Sequence, residues 1–176
     1  MFYWSLICNL SFVKTLYLVR HAKSSWDNLI TRDFDRPLND RGKRDAPRMG
    51  KRLKEKRVVP DLLLSSPAKR ALTTCELIGD ILNYPTEKIK TDRDLYHADD
   101  ENFLSIIKKI NNKHNTVLIF GHNPGLTDFS NRLTDSRIDN VPTCGIVACS
   151  LNINSWNMIE WGKGKLDFFD YPKKKE

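Results

Sequence analysis

The sequence predicts an α/β fold, namely a three-layer α/β/α sandwich with a mostly parallel central sheet. Short apolar runs alternate along the chain with segments whose apolar residues recur at helical spacing. The run at residues 116–120 contains no charge, which is typical of a strand buried on both faces. A chain of 176 residues with 40% hydrophobic and 29% charged residues suits one globular domain and excludes disordered and fibrous classes.

The elements are predicted from the positions of apolar runs, caps and breakers. A first strand covers residues 14–20, and the basic helix that follows has Asn39 as its N-cap. Pro47 is expected to kink this helix or to mark its true start. The next predicted elements are a strand at 58–65, a helix from Ser66 and Pro67 to Asn83, and a helix at 101–111 that is capped by Asp99 or Asp100. A strand at 116–120 and a helix from Asn123 and Pro124 to Leu133 follow. The last two predicted strands are at 146–152 and 158–169, and Gly162 and Gly164 interrupt the second of these.

The chain ends and the cysteines bear on the class of protein. Residues 1–13 contain no Lys or Arg and are predicted to form an N-terminal arm rather than a secretory signal, while residues 172–176 form a basic tail. No apolar run approaches the roughly 20 residues of a membrane-spanning helix. No CxxC pair or zinc-finger spacing occurs, so we expect reduced thiols and a cytoplasmic protein. The cysteines are Cys8, Cys75, Cys144 and Cys149.

Positive charge is concentrated in one predicted helix. The net charge is +7, and residues 41–57 hold nine basic and two acidic residues. Such a face can attract nucleic acid, acidic proteins or phosphorylated substrates, although most basic helix faces are simply solvated. A nucleic-acid-binding module is a second hypothesis for the chain, but no aromatic-rich strand pair or helix-turn-helix spacing accompanies the basic residues.

Polar side chains follow three of the predicted strands at the point where each strand ends. Arg20 and His21 end the first strand, Arg70 lies in the first turn of the helix after the second, and His122 follows the central strand. The carboxyl ends of parallel strands share one edge of the sheet, where α/β proteins bind ligands. We therefore expect two histidines and two arginines to meet in one site.

These residue types suit phosphoryl transfer. Arginine binds phosphate oxygens through a planar fork and stays charged. An imidazole with the ordinary pKa of about 6.5 is largely neutral near pH 7 and can attack phosphorus, while a second, cationic histidine can donate to a phosphoryl oxygen. The set predicts a covalent phosphohistidine intermediate and no metal site, because metals prefer carboxylate or thiolate ligands to two arginines.

Four ordered motifs carry a family resemblance. Residues 18–22, LVRHA, resemble the RHG-type signature of the histidine phosphatase superfamily, with Ala22 in place of the usual glycine. Residues 37–42 resemble its PLTxxG element, residues 65–71 its SSPxxRAxxT segment, and Gly121 with His122 its second-histidine motif. The RHAKSSW and GHNPG forms resemble the SixA-type phosphohistidine phosphatase branch. We therefore predict one histidine phosphatase domain over residues 14–171, with a phosphoglycerate mutase-like fold.

The resemblance implies a role for each of these residues. His21 would be the nucleophile that becomes phosphorylated, and Arg20, Arg70 and His122 would complete the phosphate pocket. Ser24 is a further candidate for phosphate binding. Asp27 stands near the place of a phosphate-contacting asparagine, but its carboxylate would repel a phosphate dianion, so it is left out of the predicted site. No cofactor and no metal are implied.

The chain departs from the superfamily where a general acid is expected. Members that act on phosphate esters carry a glutamate after the third strand, whereas residues 94–98, DLYHA, contain none. General acid catalysis contributes about 10²–10⁴-fold, and an alkoxide leaving group needs it far more than an imidazole does. The short connection between residues 83 and 100 also predicts an open pocket. The candidate proton donors are Tyr96, Asp99 and Asp100, with His97 and Glu101 as further alternatives.

The sequence thus predicts a cytoplasmic, metal-independent phosphatase that hydrolyses phosphohistidine on a protein through a covalent intermediate on His21. The alternative is a phosphomonoesterase that acts on a small phosphorylated metabolite. The expected partners are the phosphorylated protein or small substrate, with a phosphate or sulfate ion in the pocket. No nucleic acid and no membrane are expected, and the chain is predicted to be a monomer.

Overall fold

A six-stranded sheet forms the centre of the protein, which a computed structural model describes over residues 13–26 and 30–174. Four helices cover the two faces of this sheet. The strands are β1 (Val13–Arg20), β2 (Leu62–Ser65), β3 (Lys90–Thr91), β4 (Thr116–Gly121), β5 (Ile146–Asn152) and β6 (Lys165–Asp170). The helices are α1 (Asp40–Glu55), α2 (Lys69–Ile81), α3 (Asp100–Lys108) and α4 (Gly125–Thr134).

The strands lie in the order β3-β2-β4-β1-β5-β6. The pairs β1–β4, β2–β4 and β2–β3 are parallel, whereas β5 is antiparallel to both β1 and β6. The predicted α/β sandwich with a mostly parallel centre is therefore confirmed. Its three central strands β2, β4 and β1 run in the same direction, so their carboxyl ends share one edge of the sheet.

Alternating side chains of β4 build a hydrophobic core on each face of the sheet. Leu118 and Phe120 join the core under α1 and α2, while Val117 and Ile119 join the core under α3 and α4. Successive side chains of a strand point to opposite faces. Because both faces are covered, β4 has no position where a charged side chain reaches water, which accounts for its uncharged sequence.

Two predicted helix caps are present. The Asn39 side chain accepts a hydrogen bond of 2.9 Å from the Gly42 amide at the start of α1. Of the two alternatives for α3, Asp99 is the N-cap and accepts from the Asn102 amide at 2.8 Å. Pro47 lies inside α1, so it does not mark the start of that helix.

Several predicted boundaries were wrong, among them the end of the helix predicted at 101–111, which stops at Lys108. The strand predicted at 58–65 begins only at Leu62, and α2 begins at Lys69, so Ser66 is not its N-cap. The strand predicted at 158–169 begins at Lys165, because Gly162 adopts the left-handed region (φ 69°) and turns the chain before the strand. Strand β3 was missed, since its two exposed residues carry no apolar pattern.

Parts of three predictions lie outside the described residues. The first part is the N-terminal arm up to residue 12, which includes Cys8. The other two parts are Asp27 and the last two residues of the basic tail. Val13, which we had placed in the arm, is the first residue of β1. Cys75, Cys144 and Cys149 are buried free thiols. Within residues 13–26 and 30–174, no helix is long and apolar enough to cross a membrane.

Candidate active site

The strand register aligns the three chain segments that carry the site. Arg20 at the end of β1 pairs with Gly121, and Ser65 at the end of β2 pairs with Phe120. His21, Ser66 and His122 each follow directly after one of these strands. The backbone stays paired beyond the strands, since the His21 amide donates to the Gly121 carbonyl at 3.1 Å.

The hydrogen bonds of His21 define its tautomer. Nδ1 lies 2.7 Å from the carbonyl oxygen of Ala22, and a carbonyl can only accept, so Nδ1 carries the proton. Nε2 therefore has the lone pair, and it accepts a hydrogen bond of 3.3 Å from Nε of Arg70. The loop that holds the ring is itself fixed, because the Ala22 amide donates to the Thr74 hydroxyl of α2 at 3.0 Å.

Burial and nearby cations keep His21 neutral. The pKa of His21 is lowered to about 4. Burial is the largest cause, and the charges of Arg70 and Arg20 lower the pKa further, whereas the hydrogen bond to Ala22 acts to raise it. A neutral imidazole with an unprotonated Nε2 is the form that can attack phosphorus.

His122 faces His21 across the site. Their ring centroids are 5.0 Å apart, and Nε2 of His122 lies 2.9 Å from the Ser66 hydroxyl. Nδ1 is buried and has no hydrogen-bond partner among the described residues. Burial is the main cause that lowers the pKa of His122 to about 3, and the charge that His21 carries when protonated and the charge of Arg70 add to it. The His122 ring is therefore neutral near pH 7 rather than cationic as expected.

Arg70 is buried in the first turn of α2 and is only 5% exposed. Besides the bond from Nε to His21, one terminal nitrogen donates to Oδ2 of Asp33 at 2.9 Å. The other terminal nitrogen donates to the backbone carbonyl of Asp33. All three guanidinium nitrogens thus have partners, two of them on one residue that sequence reasoning did not place in the site.

Asp33 is an ionised carboxylate at the edge of the site. Burial alone would raise its pKa, but hydrogen bonds from Tyr96 and Arg36 and the charge of Arg70 lower the pKa of Asp33 to about 2. Tyr96 donates its hydroxyl proton to Oδ2 at 2.8 Å, and Arg36 donates to Oδ1 at 2.8 Å. Asp33 lies three residues before Arg36, a spacing that permits an ion pair within one turn of the chain. This spacing is the sequence signal that could have revealed Asp33.

Arg20 binds a different segment of the chain from Arg70. Its Nη1 donates to the Val141 carbonyl at 2.8 Å and to Oδ1 of Asn140 at 3.3 Å. Asn123, which follows His122, also binds Oδ1 of Asn140, at 2.8 Å. Nε of Arg20 is buried and has no hydrogen-bond partner within the described part of the chain. Asn140 and Val141 belong to a loop that no sequence motif marked as part of the site.

Ser24, the further candidate for phosphate binding, is buried and accepts a hydrogen bond of 2.7 Å from Arg36. Arg36 also donates to the Ser25 carbonyl at 3.0 Å and lies over the Trp26 ring at 3.3 Å from its centroid. In this structure the Ser24 hydroxyl therefore serves to hold the loop after β1.

The five candidate proton donors fall into two groups. The ring of Tyr96 meets His122 edge-on at 5.5 Å, and the exposed His97 ring lies 4.0 Å from Tyr96. The carboxylates have structural partners, since Asp99 caps α3 while Asp100 and Glu101 bind Arg132 at 2.5 and 2.9 Å. The hydrogen bond from Arg132 is the main cause that lowers the pKa of Asp100.

The site therefore offers a neutral histidine with an unprotonated Nε2, beside a second histidine and a buried arginine. Buried N–H groups and cations of this kind bind and stabilise a phosphoryl group during transfer. In the described part of the chain, no group of three or more His, Cys, Asp or Glu residues is placed to hold a metal ion.

Comparison with known proteins places the chain in a family. The model of the histidine phosphatase superfamily (branch 1) matches residues 16–99. An uncharacterised chloroplastic protein of Arabidopsis thaliana is 30% identical over 154 residues, which is 83% of this chain and 70% of that protein. The chain belongs to the histidine phosphatase superfamily. The resemblance predicted from the four motifs is thereby confirmed.

Other members of the superfamily share parts of the sequence or the whole fold. The 2,3-bisphosphoglycerate-dependent phosphoglycerate mutase of Mycobacterium leprae (strain Br4923) is 40% identical over 72 residues, which cover 40% of this chain and 29% of the mutase. The solved structure provisionally named phosphohistidine phosphatase SixA from Agrobacterium tumefaciens is 27% identical, with a TM-score of 0.75 over 90% of this chain and 98% of that one. A protein histidine phosphatase SixA complexed with tungstate has a TM-score of 0.76 and 24% identity over 90% of this chain and 97% of that one.

Proposed function

We propose that the protein is a metal-independent phosphatase that hydrolyses phosphohistidine on a protein, through a phosphoryl intermediate on His21. The observation that carries the proposal is the state of His21, a neutral imidazole whose Nδ1 proton is donated to Ala22. Its Nε2 lone pair is directed at Arg70, and His122 lies across the site. A phosphoryl group that approached Nε2 would meet a nucleophile and N–H donors together.

In the first step, Nε2 of His21 attacks phosphorus. A new N–P bond forms while the bond from phosphorus to the substrate nitrogen breaks, and its electron pair stays on the leaving imidazole. A substrate ring that is protonated on its other nitrogen leaves as neutral imidazole, so the enzyme need not supply a proton. Arg70 and His122 stabilise the negative charge on the transferring oxygens.

In the second step, water attacks the phosphorus bound to His21. The N–P bond breaks, its electron pair returns to Nε2, and the proton lost by the water passes to the departing phosphate. The hydrogen bond from Nδ1 to Ala22 keeps the same tautomer throughout, so His21 is ready for another cycle.

The surroundings of the site support a leaving group that departs without an acid. Tyr96 has one hydroxyl proton and donates it to Asp33, and burial together with this bond raises the pKa of Tyr96. The three candidate carboxylates are held by α3 or by Arg132. The alkoxide leaving group of an alkyl ester needs a proton, so alkyl esters should react slowly at this site. His97 is the remaining candidate for the acid that could supply such a proton.

The comparisons support the same substrate class. Two solved structures of similar fold bear the name SixA, one provisionally named a phosphohistidine phosphatase and the other a protein histidine phosphatase. The latter holds tungstate, a tetrahedral oxyanion like phosphate. The fold likeness spans at least 90% of this chain in both cases. We infer that the site of this chain also binds a tetrahedral oxyanion.

The test is kcat/KM across substrates of graded leaving-group pKa. A phosphohistidine peptide, phosphoramidate and aryl phosphates should turn over, and glycerol phosphates should react at least about 10²-fold more slowly. His97→Gln serves as the matched variant, since it removes the remaining candidate acid and should leave phosphohistidine turnover unchanged. A flat dependence on leaving-group pKa would instead favour the phosphomonoesterase alternative.

A further inference from the structure

We propose that Asp33 is a positioning residue of the active site, which holds the Arg70 guanidinium so that its Nε–H is directed at Nε2 of His21. The inference rests on the proposed function, because it assumes that His21 receives the phosphoryl group. It assigns a role to a residue that none of the four motifs contains.

The contacts of Arg70 carry the first step of the argument. A guanidinium is planar and rigid, so fixing its two terminal nitrogens also fixes the direction of Nε. Both terminal nitrogens donate to Asp33, one to Oδ2 at 2.9 Å and the other to the backbone carbonyl. The remaining nitrogen then meets His21 Nε2 at 3.3 Å. Asp33 thus determines which nitrogen of Arg70 faces the nucleophile.

Asp33 is itself held in place by Arg36. Arg36 is 7% exposed and donates to Oδ1 of Asp33 at 2.8 Å. Its other nitrogens donate to the Ser25 carbonyl and the Ser24 hydroxyl, and its guanidinium lies over Trp26. A continuous set of hydrogen bonds therefore runs from the loop after His21, through Arg36 and Asp33, back to Arg70.

The charge of Asp33 is required for this arrangement. Arg70, Arg36 and Tyr96 all present N–H or O–H groups to the carboxylate. A carboxylate accepts at every position, whereas an asparagine amide would turn an N–H group toward one of these donors. Asp33→Asn should therefore release at least one partner although its shape is nearly unchanged.

The experiment is a double-mutant cycle on the full chain with p-nitrophenyl phosphate as substrate. Asp33→Asn and Asp33→Ala should each lower kcat/KM about 10–100-fold, since small misplacements of a catalytic group cost up to about 10²-fold. In an Arg70→Ala background, Asp33→Ala should cost less than about threefold, because a residue that acts through Arg70 has nothing left to position. Asp35→Asn is the matched control, since it removes an exposed carboxylate from the same 3₁₀ turn.

Thermal unfolding and tungstate affinity are measured on the same variants, to separate a loss of stability from a loss of anion binding. Tungstate should bind Asp33→Asn about tenfold more weakly than wild type while the Tm stays near that of Asp35→Asn. Additive losses in the cycle, or equal losses in Asp35→Asn, would overturn the proposal. Tighter tungstate binding by Asp33→Ala would also overturn it, because the carboxylate would then compete with the anion for Arg70.

The cycle separates this inference from the proposed function. Wild-type protein that turns over no phosphoryl substrate would contradict the proposed function, and tungstate affinity would still test Asp33. If Asp33→Ala fails to fold, the near-isosteric Asp33→Asn variant supplies both the kinetic and the binding measurement.

Discussion

At the scale of single residues, the site depends on how one imidazole is held. His21 is neutral because desolvation and two nearby arginines lower its pKa, and its hydrogen bond to Ala22 selects the tautomer with an unprotonated Nε2. The ring of His122 is buried as well, and its Nδ1 has no hydrogen-bond partner among the described residues. A buried ring nitrogen without a partner costs free energy, because it has lost its hydrogen bond to water.

His21→Ala should abolish turnover of every phosphoryl substrate while the protein stays folded. The variant removes the proposed nucleophile, so the proposed phosphoryl intermediate cannot form. Mass spectrometry of enzyme quenched during turnover should find phosphate on His21 in wild type and none in the variant. His97→Ala is the control, since it removes an exposed imidazole from the same site. Substantial activity in folded His21→Ala would refute the covalent mechanism.

The pH dependence of stability should report His21 and His122, whose pKa values are both lowered by desolvation. Their folded-state pKa values, about 4 for His21 and about 3 for His122, lie below the ordinary value of about 6.5. The unfolded chain therefore binds more protons below pH 6.5, and stability falls as the pH is lowered toward 4, by about 1 kcal/mol per histidine per pH unit.

Urea unfolding at several pH values between 7.5 and 4.5 measures this slope. His122→Gln should show a shallower loss than wild type, because the variant lacks the imidazole whose pKa burial lowers. Parallel curves for wild type and His122→Gln would mean that burial of His122 does not control its protonation.

At the scale of elements, the site is assembled by close approaches between helix starts and loops. A Cβ added at Gly42 in α1 would lie 2.2 Å from the Lys23 carbonyl oxygen, so α1 can touch the loop after β1 only with glycine there. A Cβ added at Gly125, where α4 begins, would lie 2.0 Å from the Ala98 carbonyl oxygen. Both approaches involve backbone, which cannot move aside like the end of a side chain.

Gly125→Ala should destabilise the protein by about 2–3 kcal/mol and lower kcat/KM. The added methyl group would displace the backbone at Ala98, and with it the neighbouring Tyr96 and His97, from the site. Denaturant unfolding and p-nitrophenyl phosphate kinetics measure the two effects. Asp128→Ala, at an exposed position of α4, should change stability by less than about 1 kcal/mol. Equal stability of the two variants would contradict the close packing.

At the scale of the whole molecule, positive charge is supplied at the site by arginines and on the surface by α1. The exposed cations of this helix run along its solvent face, and Arg52 instead pairs with Asp170 at 2.8 Å. The absence of nucleic acid among the partners stays a prediction. The exposed basic residues of the helix are Lys43, Arg44, Arg48, Lys51 and Lys54.

Activity should survive excess EDTA. Arg20 and Arg70 bring the positive charge that a metal ion would otherwise contribute to phosphoryl transfer. Turnover of p-nitrophenyl phosphate before and after chelation, followed by addition of Mg²⁺ or Zn²⁺, measures this. Activity that is lost on chelation and restored by either ion would show that the reaction needs a metal.

The sequence by itself determined the layers of the fold, the cap at Asn39, a cap at either Asp99 or Asp100, and the strand ends that carry His21 and His122. These features follow from local rules, because side-chain periodicity and capping act within a few residues. Strand register then brings the ends of β1, β2 and β4 to one edge, as the parallel pattern predicts.

Only the tertiary structure decided what surrounds the two histidines. Asp33 reaches Arg70 across 37 residues, and Arg20 reaches Val141 across 121, so no local pattern could connect them. The neutral state of His122, which we had expected to be cationic, likewise follows from burial, which depends on how all the layers close around the ring. Contacts between distant segments form only once the sheet has fixed their positions, and the chemistry of the site depends on those contacts.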